Sequence, residues 1–328
     1  DTKSKSQQTR ADMGDTFGQV TAFLESRRVP ARLGVAVDGS SLSELNINVI
    51  SHFSKYSRPS DRPATVCLIH VVDPKVDGEA NQLMKASSLE KRFVAEAEKC
   101  VAKGVSVVWY ALEKKDHENI AEAICRIVEE LEVSVLSFGS YGLSVVDQEV
   151  MGTTANDNLR HLKCSFCVVK STQTPIGESM TYLFAADKSP SCQAAFAMLL
   201  FDMKPGDKVV LYYGSYVSSY CTVLESYEEE CAIRDIECTV VFDSLPDGHS
   251  IGQRICSAAT EHGADMIVMG QAGYSEAHLG SVSEFCCRRA RQSVLLIKDP
   301  RDTYFHGFRY SMFAHQHKLK TNENIVTA

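Results

Sequence analysis

The sequence predicts an α/β fold class: two tandem, doubly wound, five-stranded parallel sheets, each the middle layer of a three-layer sandwich. Two observations predict it. Short apolar runs typical of buried strands alternate with segments of helical apolar spacing, and this whole pattern occurs twice along the 328 residues. Alternation of this kind favours parallel strands with helices on both faces, because each crossover must return over the sheet.

The first copy of the pattern opens with the run RLGVAVDGS. This run is apolar and ends in Asp, Gly and Ser, as expected of a buried parallel strand. A helix should follow over 40–56, where a Ser cap precedes apolar residues at helical spacing. The predicted strands of this copy are 32–40, 64–73, 104–112, 133–140 and 165–170. The later predicted helices are 80–103, 117–132 and 152–162.

The second copy follows the polar linker STQTPIGES. Its run TYLFAADKS matches RLGVAVDGS, so Asp187 corresponds to Asp38, and further along Gly270 corresponds to Gly139. The matching strands are predicted at 181–189, 207–216, 236–245, 264–273 and 293–299, with a matching helix at 250–263. The pattern therefore indicates duplication of a whole domain and not a solenoid repeat.

The predicted domain organisation has five parts. Residues 15–28 carry apolar side chains at helical spacing, which predicts a short amphipathic helix that packs on the first domain or binds a partner. The closing segment is rich in aromatic residues, so we expect it to dock on a domain or a partner; its His315 and His317 are too few for a metal site. The parts are an N-terminal extension (1–29), a first domain (30–172), a linker (173–179), a second domain (180–300) and a C-terminal tail (301–328).

Charge and cysteine content narrow the function classes. Lys and Arg number 34 against 42 Asp and Glu, a formal net charge of −8, which argues against nucleic-acid and anionic-membrane surfaces. No apolar run approaches the ~18 residues of a membrane span. The twelve cysteines are scattered, mostly in apolar stretches, and no secretory signal is evident, which predicts reduced thiols and a cytoplasmic location. The pair Cys164 and Cys167 lacks the second ligand pair that zinc needs, so we expect no metal there.

The most informative motif is the stretch GSYGLSVVDQEVMGTT over 139–154, between a predicted strand and a predicted helix. In an open parallel sheet such a loop lies at the carboxyl edge, where ligands bind. Gly139 and Gly142 should permit turns with positive φ and close approach of the backbone to a ligand. Gly152 should begin a helix whose unpaired amides attract phosphate. Asp38, which ends the first strand, could accept a hydrogen bond from a ribose hydroxyl or approach Mg²⁺.

These residues make the chain look like a tandem universal stress protein. Nucleotide-binding members of that family carry G-x2-G-x9-G-(S/T), and the loop fits this spacing. The resemblance implies an adenine nucleotide alpha hydrolase-like or flavodoxin-like fold that holds ATP or AMP, with Mg²⁺ as a further candidate. It implies a first-domain site of Asp38, Val71, Gly139, Gly142, Gly152, Thr153 and Thr154, with Asp38 at the ribose or adenine edge and Val71 beside the base. Two departures stand out: Ala155 replaces the usual Ser or Thr, and Asp147 and Glu149 place carboxylates near the phosphates.

The second copy implies a less favourable site, formed by Asp187, Gly214, Gly270, Gly273, Gly280, Ser281 and Ser283. Six residues separate Gly273 from Gly280, against nine in the first copy, so the loop over the phosphates is shorter. Gly214 stands where Val71 would flank the base, directly after two tyrosines. We therefore expect this second site to be narrowed, empty or suited to a smaller ligand.

Three functions are open at this point. The first is an adenine-nucleotide-binding regulatory or stress-response module without strong catalysis, whose domains form an internal pseudo-dimer. The second is a nucleotide-free scaffold or assembly subunit that contacts protein partners through its apolar edge strands and terminal extensions. The third is an enzyme, which the absence of GxxxxGK[ST], GxSxG and HExxH disfavours, so we expect at most slow ATP hydrolysis.

Overall fold

The structure is a computed structural model of the chain. It describes residues 18–20, 22, 31–56, 64–73, 75, 79–142, 151–171, 176–177, 179–216, 222–245, 250–271 and 279–299. The chain divides into two compact units, whose main parts are 28–171 and 172–299; we call them the N-terminal unit and the C-terminal unit. The predicted tail at 301–328, and most of the predicted N-terminal extension and linker, lie outside the described residues.

The N-terminal unit alternates strands and helices. Its elements are β1 (Arg32–Ala36), α1 (Ser41–Tyr56), β2 (Thr65–Val72), α2 (Glu79–Cys100), β3 (Ser106–Glu113), α3 (Ile120–Glu130), β4 (Val135–Gly139), α4 (Thr153–His161) and β5 (Ser165–Val169). The strands pair in parallel in the order β3-β2-β1-β4-β5. The order reverses between β1 and β4, and in open α/β sheets ligands bind at such a switch point.

The C-terminal unit repeats this topology. Its elements are β6 (Thr181–Ala185), α5 (Pro190–Asp202), β7 (Lys208–Ser215), α6 (Thr222–Ile233), β8 (Glu237–Ser244), α7 (Ile251–Glu261), β9 (Met266–Gly270), α8 (Ser281–Arg289) and β10 (Ser293–Ile297). The parallel order β8-β7-β6-β9-β10 is the same as in the first unit. The predicted fold class is confirmed, and the order 3-2-1-4-5 distinguishes each unit from the flavodoxin-like order 2-1-3-4-5.

Each unit has its own core, in which the central strands are buried on both faces. In the N-terminal unit, the β2 side chains from Val66 to Ile69 are all buried. In the C-terminal unit, Phe196 of α5 lies between two other rings, with ring centroids 4.7 Å from Phe184 and 4.7 Å from Tyr227. Burial of such aromatic clusters is a large part of what stabilises a small α/β domain.

Three helices end in the same kind of turn, with a residue in the left-handed region. These residues are Glu132 (φ 52), Asp235 (φ 54) and Gly263 (φ 61). In each case the amide of the next residue donates to a carbonyl in the last turn of the helix, which is the Schellman pattern. The bonds are Val133 N to Val128 O at 3.0 Å, Ile236 N to Cys231 O at 3.0 Å and Ala264 N to Ala259 O at 2.8 Å. The turns direct the chain into β4, β8 and β9.

The strand predictions agree with the structure, apart from their ends. The strand predicted at 32–40 stops at Ala36, because Asp38 starts a turn by accepting a hydrogen bond from the Ser40 amide at 2.9 Å. The sequence did not indicate α5, because this helix buries residues all around its axis, including the consecutive run from Cys192 to Ala197, and so has no clear amphipathic period. Within the described ranges, no helix is long and apolar enough to cross a membrane.

Candidate functional site

The carboxylate of Asp38 lies where β1 ends and α1 begins. Its Oδ1 atom accepts hydrogen bonds from the Ser40 amide at 2.9 Å and from the Ser43 hydroxyl at 3.0 Å. The Asp38 amide in turn donates to Ser43 Oγ at 3.2 Å. This local network fixes the carboxylate at the carboxyl edge of the strands. Its Oδ2 is directed toward the first turn of the loop over 139–154, which we call the glycine loop.

Gly142 and Gly139 are needed for close packing and not for their backbone angles. A Cβ on Gly142 would lie 2.7 Å from Asp38 Oδ2, and one on Gly139 would lie 2.9 Å from the Cβ of Leu42 in α1. The expected positive φ at these two positions was wrong, since the described glycines with positive φ are Gly39, Gly104, Gly206 and Gly263. The loop can pass this close to Asp38 because residue 142 has no side chain.

Gly152 brings the end of the loop back to its beginning. Its amide donates to the carbonyl of Ser140 at 2.9 Å, and its carbonyl accepts the first helical bond of α4, from Asn156. Gly152 is the N-cap of α4, with φ −63 and ψ 155, and no side chain caps the helix there. The amides of Thr153 and Thr154 are thus in the first turn, where they lack intrahelical acceptors and the helix dipole favours an anion.

The hydroxyl groups at this helix end are unequal. Thr153 is exposed and Thr154 is half-buried, so both lie at the surface of the edge. Ala155, by contrast, is buried and carries no hydroxyl. The carboxylates of Asp147 and Glu149 fall outside the described residues. This helix end can therefore offer backbone amides and two neutral hydroxyls to an anionic ligand.

Val71 completes the set predicted for the first domain. The Val37 amide donates to the Ile69 carbonyl at 2.8 Å, which extends the β1–β2 ladder and brings Asp38 level with the end of β2. Val71 is half-buried there, between two buried neighbours. The structure thus brings together, at one edge of the N-terminal unit, all seven residues that the sequence predicted.

His70 is a member of this edge that the sequence did not assign. Its Nδ1 donates to the Val37 carbonyl at 2.8 Å, and its ring stacks on Trp109 with centroids 5.9 Å apart. Burial lowers the pKa of His70, so the ring is mainly neutral at neutral pH. The sequence did contain a signal for the position of His70, which is a histidine near the end of an otherwise apolar strand.

The C-terminal unit repeats the aspartate network with different partners. Asp187 Oδ1 accepts from the Ser189 amide at 2.7 Å, and the Asp187 amide donates to Cys192 Sγ at 3.2 Å. A Cβ on Gly270 would lie 2.8 Å from the Cα of Cys192, so glycine is again required by close packing. Asp187 itself is exposed.

The N-terminus of α8 in the C-terminal unit resembles the N-terminus of α4 in the N-terminal unit. Gly280 is the N-cap of α8, with φ −63 and ψ 145 and no side-chain cap. Ser281 is exposed, whereas Ser283 is buried with 3% exposure. The predicted Gly273 lies outside the described residues. The Gly280 helix end can therefore offer amides to an anion, with Ser281 as the exposed hydroxyl.

Tyr212 makes the C-terminal edge different from the N-terminal one. It occupies the β7 position that corresponds to Ile69 in β2, since β1 pairs Ala36 with Ile69 and β6 pairs Ala185 with Tyr212. The ring covers Gly214: a Cβ there would lie 3.1 Å from the Tyr212 hydroxyl oxygen. The side chain is 1% exposed.

Hydrogen bonds fix the Tyr212 ring in place. Its hydroxyl donates to Asp243 Oδ2 at 3.0 Å, and Arg254 Nε donates to the same oxygen at 2.8 Å. Burial, followed by the bond to Asp243, raises the pKa of Tyr212, so the hydroxyl stays protonated and remains a donor. A large buried ring therefore stands at the strand end where the N-terminal unit presents Val71.

Comparison with known families agrees with the duplicated fold. The model of the universal stress protein family matches residues 31–170 and 225–298. The chain belongs to the universal stress protein family. The two matched segments fall one in each unit, so the protein is a tandem member of that family.

Solved structures resemble this universal stress protein over most of its length. A universal stress protein from Archaeoglobus fulgidus DSM 4304 superposes with a TM-score of 0.61 at 18% identity, covering 82% of this chain and 98% of the other. A protein of unknown function from Pseudomonas aeruginosa PAO1 gives a TM-score of 0.53 at 14% identity, covering 87% of this chain and 98% of the other. No curated protein sequence matches the chain. At these identities the likeness establishes the fold.

The described part of this universal stress protein contains no group of three or more His, Cys, Asp or Glu side chains that could hold a metal ion. Asp38 lies at the candidate edge, and its Oδ1 already accepts two hydrogen bonds. Asp73 follows the end of β2, with its Oδ1 3.5 Å from Lys114 Nζ. The described part of the edge thus offers backbone amides, hydroxyls and carboxylate oxygens, which suits a ligand with both phosphate and hydroxyl groups.

Proposed function

We propose that the N-terminal unit binds an adenine nucleotide, ATP or AMP, and that the protein is a regulatory or stress-response module without strong catalysis. The observation that carries this proposal is the contact between Asp38 and Gly142, beside the uncapped end of α4. It places an acceptor for sugar hydroxyls next to donors for phosphate oxygens. A nucleotide needs both, at the short separation between a ribose and its phosphate.

Each predicted residue has a role in this proposal. Asp38 accepts from the ribose hydroxyls through Oδ2, and Val71 packs beside the base. The amides of Gly142, Thr153 and Thr154, with the two threonine hydroxyls, donate to phosphate oxygens. Gly139 and Gly152 let the backbone approach closely. With ATP, a Mg²⁺ ion would be held mainly by the phosphates, with Asp38 as the nearby protein carboxylate, and it would neutralise phosphate charge.

For the C-terminal unit, we propose a site that holds no purine base. Support comes from the Tyr212 ring, which covers Gly214 and is fixed by Asp243. Asp187 and the Gly280 helix end could still hold a smaller anion. This asymmetry makes the two units natural controls for each other.

The test is a thermal shift of the full chain with ATP, ADP or AMP at millimolar concentration, done on matched variants. Gly152→Val and Gly280→Val add the same side chain at corresponding N-caps, where backbone angles near φ −63 suit any residue. A ligand at 100 times its Kd stabilises the native state by about 2.7 kcal/mol, so Tm should rise clearly. The shift should persist in Gly280→Val and vanish in Gly152→Val. An unchanged Tm of the unsubstituted protein would support the nucleotide-free scaffold instead.

We further propose that the two units cover each other's last strand, giving an internal pseudo-dimer. The strand sequences SFCVV and SVLLI are apolar, and each lies at one end of its own unit's strand order. An apolar edge strand left uncovered would associate with other chains. Light scattering should therefore find a monomer at micromolar concentration. A dimer would indicate that these strands pair between chains, as the scaffold function requires.

Catalysis is proposed to be slow at most. Sustained ATP turnover by the purified protein, absent from a mock purification and abolished in Gly152→Val, would contradict this and indicate an enzyme.

A further inference from the structure

Two cysteines of the C-terminal unit meet across a tight turn. Cys231 lies in the last turn of α6, and Cys238 is the second residue of β8. The turn between them is closed by two bonds: Asp235 N to Ala232 O at 3.2 Å and Ile236 N to Cys231 O at 3.0 Å. With Asp235 in the left-handed region, the chain reverses direction and returns Cys238 to the side of the helix end.

The two thiols differ in exposure and in acidity. Cys231 is fully buried, whereas Cys238 is half-buried. A hydrogen bond between the two side chains raises the pKa of Cys231 and lowers the pKa of Cys238. The more accessible sulfur is thus the one that accepts the hydrogen bond, with the thiol of Cys231 as its donor, although its partial burial and the Glu228 carboxylate act in the opposite direction on its pKa. A thiolate next to a second thiol is the arrangement in which disulfides form readily.

The N-terminal unit joins α2 to β3 by a different turn, in which Val105 N donates to Ala102 O at 3.1 Å and Gly104 has φ 90, and it lacks the cysteine pair. The β2–β3 register pairs Thr65 with Ser106, as β7–β8 pairs Lys208 with Glu237. Val107 therefore takes the place of Cys238. Cys100, the last residue of α2, takes the place of Cys231. The strand position itself does not need a cysteine, since β3 carries valine there.

We propose that Cys231 and Cys238 form a redox-sensitive dithiol that a hydroperoxide converts to an intramolecular disulfide. This inference is independent of nucleotide binding, because it concerns a helix end and a strand that take no part in the proposed site.

The reaction proceeds in two steps. The Cys238 thiolate attacks one oxygen of hydrogen peroxide, the O–O bond breaks, and hydroxide leaves, which gives a sulfenic acid on Cys238. The Cys231 sulfur then attacks the Cys238 sulfur, the S–O bond breaks, and the S–S bond forms. The two thiols lose two electrons to the peroxide, and their two protons end up in two molecules of water. A dithiol reductant such as dithiothreitol reverses the change by exchange.

The test uses the full chain, treated with hydrogen peroxide, then alkylated and mapped by mass spectrometry without reduction. We expect a peptide pair linked through Cys231 and Cys238, reversed by dithiothreitol, with Cys100 still alkylated. Cys238 should lose its reactivity toward the alkylating reagent roughly tenfold faster than Cys100 does.

Two variants make the result specific. Cys238→Val reproduces the side chain of the N-terminal unit and should keep the fold while leaving Cys231 reduced. Cys231→Ser removes the resolving thiol but keeps a hydroxyl that can donate to the Cys238 sulfur, so Cys238 should be found as a sulfenic acid that a dimedone probe captures.

Two results would overturn the proposal: Cys238 that stays reduced when Cys100 is oxidised, or Cys238 converted to sulfinic acid while Cys231 remains a thiol.

Discussion

The carboxylate of Asp38 lies directly against Gly142, with its Oδ2 atom 2.7 Å from where a Cβ on that glycine would be. Its other oxygen is held by the Ser40 amide and the Ser43 hydroxyl. The carboxylate therefore cannot turn aside without breaking these bonds. The first turn of the glycine loop therefore packs directly against the end of β1, and the space between them admits only the hydrogen atom of a glycine.

Filling this gap should impair the proposed site. Gly142→Ala should lower the free energy of unfolding by about 1 kcal/mol through overpacking, and weaken nucleotide binding at least tenfold by displacing Asp38. Isothermal titration calorimetry with ATP and AMP gives the affinity. Gly177→Ala is the matched control, because no atom lies within 4 Å of where its Cβ would be. Equal affinities for the two variants would argue against a role for this contact.

The corresponding glycines at the ends of β4 and β9 should respond differently to alanine. A Cβ on Gly139 would lie 2.9 Å from both Cβ and Cδ1 of Leu42 and 3.0 Å from the Tyr141 carbonyl oxygen, whereas a Cβ on Gly270 would meet only backbone atoms of Ser191 and Cys192, at 2.8–3.0 Å. Of the atoms near Gly139 only Leu42 Cδ1 can move aside by a change of rotamer, and none near Gly270 can, so Gly270→Ala should cost ~2–3 kcal/mol and Gly139→Ala ~1–2 kcal/mol. Urea denaturation, followed separately for each unfolding transition, measures both. A smaller loss at Gly270 would contradict this order.

The Schellman turns predict stabilising substitutions. Glu132 and Asp235 adopt positive φ without being glycine, at φ 52 and 54. Because a left-handed backbone costs an ordinary L-residue ~1–2 kcal/mol, Glu132→Gly should raise the free energy of unfolding by ~0.5–1 kcal/mol, and Asp235→Gly by somewhat less. Aspartate tolerates this region better than glutamate does.

Gly263 supplies the reverse experiment for these turns. It already has φ 61, with no atom within 4 Å of where a Cβ would be. Gly263→Ala should therefore destabilise by ~1 kcal/mol through backbone strain alone. Differential scanning calorimetry of the three variants checks the set, and a lower Tm for Glu132→Gly would refute the assignment of strain.

Glu118 predicts a contribution to stability that depends on pH. Arg126 donates to its carboxylate from Nε at 2.8 Å and from Nη2 at 3.1 Å. These bonds, with a backbone bond from Lys115, lower the pKa of Glu118 to about 2. The folded pKa lies below the value of about 4.3 in an unfolded chain, so the stabilisation is complete above pH 4.3 and is lost as pH falls through 2.

Glu118→Gln should therefore lower the free energy of unfolding by ~1 kcal/mol at pH 7, a value reduced by solvent screening, and by little near pH 2. Urea denaturation from pH 2 to pH 7 follows the difference. Glu98→Gln, at an exposed position of α2, is the control for the same substitution on the surface. A constant difference across the pH range would show that the ion pair is not its cause.

Measuring both Tm and the nucleotide-induced shift in Tm for the N-cap variants separates an effect on stability from an effect on binding. Loss of the nucleotide shift in Gly152→Val with an unchanged Tm would be a binding effect. Loss of both would be a folding effect, in which case Gly142→Ala becomes the decisive variant, because its expected cost to stability is small.

Much of the architecture followed from sequence alone. The alternation of apolar runs with helical segments predicted every strand of both units, because a buried parallel strand is apolar along its whole length. The spacing of Gly139, Gly142 and Gly152 predicted where the candidate edge lies. Among the C-terminal helices, the pattern predicted α7 but not α6, α8 or α5, the last of which is apolar on all sides. The sequence also did not predict the reason for the glycines, which is contact with α1 and Asp38 and not a left-handed backbone.

Tyr212 illustrates a feature that the sequence contained but did not resolve. Two tyrosines precede Gly214, and strand alternation places only Tyr212 on the same face as that glycine. Whether its ring leaned along the strand to cover Gly214 depended on Asp243, which comes from the neighbouring strand β8. The orientation of the Tyr212 ring therefore depends on a hydrogen-bond acceptor that is distant in sequence.

The sequence by itself determined the fold class, the duplication and the position of the loop, because periodicity and glycine spacing are properties of neighbouring residues. Only the tertiary structure decided which atoms meet: Asp38 with Gly142, Tyr212 with Gly214, and Cys231 with Cys238. These contacts join segments from different strands and helices, and their distances depend on register, helix packing and turn geometry, which local sequence patterns do not specify.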